Sequence, residues 1–308
     1  MAPSTWSTYL CGIRQFLSFC SLFLVDPLPL SQVILENFVS SLQLRVSYKT
    51  IKVYLSGVQY WAKLHNCPVL ISDMHRLQYV LCGVRRFQGD KFSRAPRPPV
   101  TWALLQRICA FISCSESAFD RDMLMAAVLL AFFGLLRVSE YTSPSTRQFD
   151  PSVCLSVDDV SICWPRRVAL IVIKQSKTDP FRSGATVRVG VIQHSLCPVV
   201  ALIRYLVRRG SRPGPLFLFQ DGRFLTRAGV LRLLQRSLPD VPHVNTHSFR
   251  RGGASALATA GTPAHVIQVL GRWRSDAFSI YIDFPDSFLS AANFLMTRAE
   301  LPCRALPC

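Results

Sequence analysis

One segment of the chain has no hydrophobic periodicity, and it limits what the rest of the chain can fold into. The segment begins after Val84, is rich in arginine and proline, and ends near Pro99. Proline fixes φ and removes a backbone donor, so a run of this kind interrupts helices and strands and is typical of a linker. The chain has 308 residues, of which 50% are hydrophobic, which is enough for two packed cores. We therefore predict an N-terminal domain over residues 1–90, a basic linker over 91–99 and a second domain over 100–308.

The N-terminal part shows helical periodicity throughout. Apolar residues recur there at helical spacing, and a serine precedes each of three periodic stretches. Because a serine side chain accepts a hydrogen bond from the free N–H groups at a helix start, we expect these serines to be N-caps. The three predicted N-caps are Ser4, Ser31 and Ser47. The helix predicted over Tyr48–His65 carries Lys49 and Lys52, and such a basic face is either ordinary solvated surface or a surface that binds an anion.

The second part combines helices with a small sheet. Helices are predicted over Thr101–Ser113 and Ala118–Phe133, with Gly134 closing the second in the C′ position. Runs of β-branched residues predict two strands joined by a long charged turn, with a third strand before them. These strands cover 157–163, 168–173 and 186–191, and six helices follow over 199–209, 227–238, 248–260, 263–270, 275–284 and 286–298. The predicted fold class is mainly α (α+β), with one small antiparallel sheet.

Positive charge is the strongest signal in the composition. Lysine and arginine total 35 against 18 aspartates and glutamates, a formal charge of +17, and 29 of the 35 are arginine. The planar guanidinium group holds phosphate oxygens in pairs, so nucleic acid is the first partner to expect, although an anionic membrane surface attracts the same charge. The apolar run Met123–Leu136 has fourteen residues, too few to cross a bilayer. We therefore expect nucleic acid as the partner and no membrane.

The eleven cysteines form no metal-binding or disulfide pattern. Their number is odd, and no two of them have the two-residue separation that zinc sites use. We therefore expect no metal, no cofactor, and reduced, mostly buried thiols in a nuclear or cytosolic protein. The location that we predict is the nucleus, or the cytoplasm before import.

Three short motifs in the second part carry reactive side chains. Arg137 follows a buried apolar helix and has Glu140 within reach if that turn is helical, so the pair is either a helix-end cap or a cation held for function. His247 and Arg250 stand three residues apart, a spacing that places both on one face of a helix but often arises by chance. Tyr281 alone is more often a core aromatic than a nucleophile. Together they offer what phosphoryl transfer requires, namely a nucleophile, cations and a proton donor.

The order and spacing of these motifs resemble the tyrosine recombinase (phage integrase) family. The match consists of GLLRVSE at 134–140, a lysine-bearing β-hairpin, HSFRRG at 247–252, and LGRW at 270–273 with a tyrosine nine residues after its arginine. It covers nearly the whole chain, because these enzymes also have a helical core-binding domain and a linker. The segments HSFRRGGASALATAG and GRWRSDAFSIYI are most similar to recombinases of eukaryotic mobile elements of the DIRS and Crypton kind.

The resemblance implies a role for each motif residue. Arg137 resembles the first active-site arginine, and Glu140 resembles the acid that supports it. Arg250 resembles the second phosphate-binding arginine, and His247 a hydrogen-bond donor or proton shuttle. Tyr281 resembles the nucleophile, which forms a 3′-phosphotyrosyl bond and releases a 5′-hydroxyl.

Two roles have two candidates each. Lys177, at the start of the hairpin turn, resembles the lysine that protonates the leaving oxygen, and Lys174 is the alternative. Nine residues before the tyrosine the family usually has His or Trp, whereas this chain has Arg272 followed by Trp273. Arginine donates a hydrogen bond to phosphate but does not shuttle protons, since its pKa stays above about 12. Trp273 fills this role through its indole N–H if the loop is shifted by one residue.

The resemblance implies a site-specific DNA recombinase or integrase that breaks and rejoins strands without metal or ATP. It also implies double-stranded DNA as the partner and a homotetramer on paired DNA sites, in which the helix at 286–298 docks on a neighbouring protomer. In the N-terminal domain, DNA contacts are expected at Lys49, Lys52, Arg85 and Arg86. Two alternatives stay open: a type IB topoisomerase-like enzyme that relaxes one duplex, and a domesticated DNA-binding protein that no longer cuts.

Overall fold

The structure is a computed structural model that describes residues 3–92, 97–115, 117–175 and 183–282. The chain divides into two compact units, residues 1–95 and 96–308, and the boundary falls within the stretch for which the sequence predicts a linker. None of the described helices is both long enough and apolar enough to cross a membrane. The roles assigned to the domains at 1–90 and 100–308 stay predictions.

Four α-helices form the first unit. They are α1 (Pro3–Phe23), α2 (Gln32–Leu42), α3 (Tyr48–Leu64) and α4 (His75–Gln88). The side chains of Ser31 and Ser47 each accept a hydrogen bond at 3.2 Å from the backbone N–H three residues on, which confirms two of the predicted N-caps. The prediction for Ser4 is wrong. Helix α1 already includes Pro3, and proline is favoured in a first turn because its missing N–H would have no partner there.

Helices α1 and α3 pack closely because glycines face the partner helix. A Cβ on Gly12 would lie 2.6 Å from the Cα of Tyr54, and one on Gly57 would lie 2.8 Å from the carbonyl oxygen of Tyr9. Phe16 of α1 is fully buried in the aromatic and aliphatic core around this contact. The contact fixes the orientation of α3, whose first turns carry two of the lysines expected to bind DNA.

Helix α4 continues past the point at which the sequence predicts irregular chain. Arg85 and Arg86 lie in its last turn, and the helix ends only at Gln88. The Gln88 side chain is buried, accepts a hydrogen bond from the Tyr48 backbone N–H at 2.7 Å, and donates to two backbone carbonyls in the loop before α3. The helical pattern, which the sequence predicts to about Arg86, thus ends two residues later, because this tertiary hydrogen-bond network extends the helix.

The second unit is mostly helical, as the sequence predicts. Its α-helices are α5 (Trp102–Ser113), α6 (Ala118–Phe133), α7 (Val138–Tyr141), α8 (Pro198–Arg209), α9 (Arg227–Ser237), α10 (Ser248–Thr259) and α11 (Ala264–Gly271). Helix α6 is almost wholly buried, and α5, α8 and α10 pack around it. A 3-10 helix over Asp276–Tyr281 lies where an α-helix over 275–284 is predicted, and the helix predicted over 286–298 lies outside the described residues.

Three antiparallel strands complete the second unit and confirm the predicted fold class. Strands β1 (Val160–Cys163), β2 (Val168–Ile173) and β3 (Ala185–Gly190) pair in the order β1-β2-β3. Ala169, Ile171 and Ile173 of β2 point into the core. Strand β1 starts later than predicted because residues 157–159 form a 3-10 turn, in which the Asp159 carboxylate accepts a hydrogen bond from the Ser156 backbone N–H at 2.7 Å.

Gly134 follows helix α6 as its C-cap, one position before the C′ position that the sequence predicts for it. Gly134 has φ −85°, and the next residue, Leu135, takes the positive φ of 47° instead. The glycine is needed for space, since a Cβ there would lie 2.8 Å from the carbonyl oxygen of Leu130. This turn makes the carbonyls of Gly134 and Leu135 available to side chains from distant parts of the chain.

All nine cysteines among the described residues are free thiols. Four of these nine are buried, and Cys303 and Cys308 lie outside the described residues. Burial raises the pKa of Cys109 to about 12, which keeps this thiol protonated and unreactive near neutral pH.

Candidate active site

The turn after helix α6 brings an arginine and a glutamate together. Arg137 is the residue before the one-turn helix α7, and its Nη1 donates to Oε1 of Glu140 at 2.9 Å. The Arg137 backbone N–H donates to the other carboxylate oxygen, also at 2.9 Å. The Glu140 side chain has no exposed surface, so the pair is a buried structural unit and not a surface ion pair. The contact predicted from the spacing of these two residues is present.

A second arginine, far along the chain, shares the same carboxylate. Arg272 follows α11, and its Nη2 donates to Oε2 of Glu140 at 2.7 Å. Its Nη1 and Nη2 also donate to the carbonyls of Gly134 and Leu135, at 3.3 and 3.4 Å. Burial lowers the pKa of the Arg272 guanidinium, and Glu140 offsets part of that effect. One buried carboxylate thus neutralises only one of the two guanidinium charges beside it.

Arg250 is held against the same turn. It lies in the first turn of α10, is only 1% exposed, and donates through Nη1 to the Leu135 carbonyl and through Nη2 to the Gly271 carbonyl. Its guanidinium carbon lies 4.2 Å from the ring centroid of Trp273, within cation–π range. A Cβ on Gly271 would fall 1.5 Å from a ring carbon of Trp273, so only glycine leaves room for this ring.

His247 stands at the start of α10, beside this group of arginines. It is the residue before the helix, and its backbone N–H donates to the side-chain oxygen of Asn245 at 2.9 Å. Burial is the main cause that lowers its pKa below 6.5, and the charges of four arginines lower it further. The four are Arg97, Arg227, Arg250 and Arg137. The imidazole is therefore neutral at pH 7, and it has one nitrogen that donates and one that accepts a proton.

Lowering the pH is expected to destabilise the chain through His247. Because the folded pKa lies below the unfolded value of 6.5, the unfolded chain binds the proton first. The stability is full above about pH 6.5 and is lost as the pH falls towards the folded pKa. Urea denaturation at pH 7.5 and 5.5 measures the loss, and His247→Asn should show a smaller one. An equal loss in both proteins would mean that other groups cause it.

Of the two lysine candidates, only Lys174 is among the described residues. Lys174 follows β2, and its Nζ lies 2.7 Å from an Asp159 carboxylate oxygen and 2.7 Å from the Pro151 carbonyl oxygen. These partners tie Lys174 to the turn before β1. Lys177 lies outside the described residues.

Tyr281 ends the 3-10 helix that follows the arginine cluster. Phe278 of this helix is buried with Ala254 of α10 and Ile267 of α11, so the tyrosine-bearing segment packs on the two helices that carry or precede the arginines. Only the backbone of Tyr281 is described, and the position of its hydroxyl lies outside the described side chains.

Three residues that the sequence did not single out belong to this site. The Leu135 carbonyl accepts hydrogen bonds from both Arg250 and Arg272. Leu135 has a positive φ that nothing in the neighbouring amino-acid sequence indicates. Arg97 and Arg227 act on the His247 imidazole through their charge. Arg97 falls in the segment predicted to be a linker, and Arg227 opens α9 directly after its N-cap, so neither stands in a recognisable motif.

The basic residues predicted to bind DNA in the first unit lie near one tyrosine. Lys52 Nζ and the Arg85 guanidinium carbon lie 5.9 and 6.0 Å from the ring centroid of Tyr48. Tyr48, Lys49 and Arg85 line an open cavity of about 590 Å³, which also contains Asp90. Arg86 is exposed on the same helix turn and does not line this cavity.

Solved structures with the same architecture come from DNA-processing enzymes. The XerH site-specific recombinase, in a post-cleavage complex with its palindromic difH substrate, is 17% identical with a TM-score of 0.61, over 96% of this chain and 79% of that one. The Tn1549 transposon integrase, in complex with transposon right-end DNA, is 16% identical with a TM-score of 0.60, over 95% and 99%. The chain has the tyrosine recombinase fold.

A third structure extends the comparison within this recombinase fold. A lambda integrase dimer bound to a core site is 15% identical with a TM-score of 0.58, over 92% of this chain and 72% of that one. No protein-family model and no curated protein sequence matches the chain. At this level of identity the likeness establishes the recombinase fold alone, and the role of each residue rests on the site's own geometry.

Proposed function

We propose that the chain is a site-specific DNA recombinase that breaks and rejoins strands through a 3′-phosphotyrosyl intermediate. The observation that carries this proposal is the convergence of Arg137, Arg250 and Arg272 on one turn, with neutral His247 beside them. Three guanidinium groups with a single carboxylate leave a net positive charge in a buried place, which favours an anion such as a phosphodiester. The recombinases of the same fold were solved in complexes with DNA.

In the first proposed step the Tyr281 oxygen attacks the scissile phosphorus. The phenolic proton passes to neutral His247, the bond from phosphorus to the 5′-oxygen breaks, and Lys177 protonates the leaving oxygen. In the second step the 5′-hydroxyl of a partner strand attacks the phosphotyrosine, and the two protons return. Because one phosphate ester replaces another in each step, the bond energy is retained and no nucleotide is consumed.

Arg137 and Arg250 stabilise the charge of the transition state in this proposal. A preorganised donor in a water-poor site is worth roughly 3 kcal/mol, or about a hundredfold in rate. Lys174 is the weaker candidate for the proton donor because its ammonium group already has a carboxylate and a carbonyl as partners. Lys177 therefore stays the proposed donor.

Four further properties of the protein are part of the same proposal. We infer an origin in a eukaryotic mobile element of the DIRS or Crypton kind from the amino-acid sequences of the motifs. We further infer a nuclear location, a homotetramer on two DNA sites, and exchange of the segment at 286–298 between protomers. The +17 charge of the chain supports the DNA partner.

Covalent trapping on nicked suicide DNA tests the proposal. We expect the wild-type chain, in the presence of EDTA, to form a denaturation-resistant adduct with DNA from its target element, in which Tyr281 is linked to the phosphate at the 3′ end of the broken strand. Intact paired sites should give recombinant products. Plasmid relaxation without recombinants would instead identify a topoisomerase-like enzyme, and DNA binding without an adduct would identify a domesticated binding protein.

Reversing charges in the cavity beside Tyr48 is expected to weaken DNA binding. Each lost phosphate contact lowers the slope of log affinity against log salt by about 0.9, because fewer counterions are released. Combining Lys49→Glu with Arg85→Glu should therefore reduce both the affinity and the slope, measured by a salt series of DNA titrations. Combining Lys63→Glu with Arg14→Glu, both exposed and outside this cavity, makes the same change of net charge and is the matched control. Equal losses in both proteins would mean that the effect is only one of net charge.

A further inference from the structure

Arg272 is bonded inward, to the support of the site. Its three acceptors are the Glu140 carboxylate and the carbonyls of Gly134 and Leu135, and its side chain is only 16% exposed. Its Nε is buried and has no hydrogen-bond partner among the described residues. A guanidinium group with this arrangement holds neighbouring groups in place.

The acceptors of Arg272 connect it to both of the arginines proposed to bind phosphate. Glu140 bonds to Arg137 through one carboxylate oxygen and to Arg272 through the other. The Leu135 carbonyl accepts from Arg250 and from Arg272. Arg272 is thus one bonded group away from Arg137 and one away from Arg250.

The backbone conformation at Arg272 is a second indication that this position needs the arginine side chain. The residue has φ 56° and ψ 40°, in the left-handed region, which costs energy for any residue other than glycine, asparagine or aspartate. This turn lets Trp273 reach Arg250 at 4.2 Å and leaves the Gly271 carbonyl facing the same guanidinium. An arginine in a position that favours glycine is explained by what its guanidinium bonds to.

We propose that Arg272 is a positioning residue that fixes Arg137 through Glu140 and Arg250 through the Leu135 carbonyl. This inference rests on the proposed function, because the two arginines matter for the phosphate. It assigns Arg272 a task different from that of the His or Trp which the resemblance places here, namely to hold the groups that contact the phosphate. Trp273 then covers the face of Arg250.

A double-mutant cycle on the rate of covalent adduct formation tests the assignment. Arg272→Gln and Glu140→Gln are each expected to slow adduct formation by about a hundredfold at saturating DNA, since small misplacement of reacting groups has effects of that size. Because both act through the same geometry, the double variant should be within about threefold of the slower single variant. A double variant slower by roughly the product of the two effects would overturn the proposal and place Arg272 on the phosphate.

Two further variants separate positioning from loss of the fold. Arg274→Gln, exposed and two residues away, should keep the wild-type rate. Arg272→Lys keeps a charge for Glu140 but lacks the planar fork for the two carbonyls, so it should fall between wild type and Arg272→Gln with unchanged DNA affinity. If Arg272→Gln does not fold, the cycle is run with the lysine variant. Full activity of Arg272→Lys would also overturn the proposal.

A measurement without DNA distinguishes this inference from the proposed function. In NMR titrations of the free chain, Arg272→Gln should raise the pKa of His247 towards its ordinary value. The reason is that the Arg137 and Arg250 side chains, once released, move their positive charges away from the imidazole. Arg274→Gln should leave this titration unchanged. If wild type forms no adduct but the titration shifts, the proposed function fails and the positioning role stands. An unshifted titration in folded Arg272→Gln overturns the positioning role itself.

Discussion

Tyr281→Phe is expected to abolish the covalent attachment of the chain to DNA while leaving DNA affinity unchanged. The substitution removes one oxygen, the proposed nucleophile, and keeps an aromatic side chain at the residue that ends the 3-10 helix. Adduct formation on a suicide substrate measures the first effect. DNA titration at a fixed salt concentration measures the second, since affinity for DNA depends steeply on salt.

Tyr141→Phe is the matched control for the loss of a tyrosine hydroxyl. Tyr141 ends α7, and its hydroxyl is buried without a hydrogen-bond partner among the described residues. Burial also raises its pKa, so it does not ionise near neutral pH. We expect this variant to keep adduct formation, because no bond is lost with the oxygen. Trapping by Tyr281→Phe at the wild-type level would refute the assignment of the nucleophile, whatever the control shows.

The sequence predicted the parts of the site that depend on short spacing. Arg137 and Glu140 are three residues apart, so a helical turn is enough to bring them together, and they are bonded as expected. The small sheet and most helix bounds follow from periodicity in the same way.

The parts that the sequence did not predict depend on contacts between distant segments. Arg272 and Glu140 are 132 residues apart, and their contact requires α11 to end beside the turn that follows α6. The positive φ of Leu135 likewise depends on that turn, because leucine has no preference for this conformation. The extension of α4 to Gln88 depends on bonds to the loop before α3. Periodicity carries no information on such contacts, whereas the fold supplies them.

Arg209→Met, outside the site, is expected to cause a large loss of stability. Arg209 ends α8, is 1% exposed, and donates to the carbonyls of five residues in the loop that follows. These are Gly210, Arg212, Gly214, Pro215 and Leu216. Burial lowers the pKa of this guanidinium. The five carbonyl oxygens accept its hydrogen bonds in place of a carboxylate. Methionine fills the volume but leaves the carbonyls without donors, at a cost of about 3–5 kcal/mol by analogy with broken buried networks.

The loop that Arg209 holds also supports the segment after the candidate active site. Leu216 donates its backbone N–H to the Leu155 carbonyl at 2.7 Å, and Phe217 accepts from Leu225, whose own carbonyl accepts from Ser143 two residues beyond α7. Loss of the loop therefore loosens the far end of the helix that carries Glu140. Urea denaturation should show the loss in Arg209→Met, and Arg209→Lys should restore only part of it, because an ammonium group has three donors for five acceptors. Arg204→Met, exposed on the same helix, should change the free energy of unfolding by no more than about 0.5 kcal/mol. Equal stability of Arg209→Met and Arg204→Met would show that the loop does not depend on the buried guanidinium.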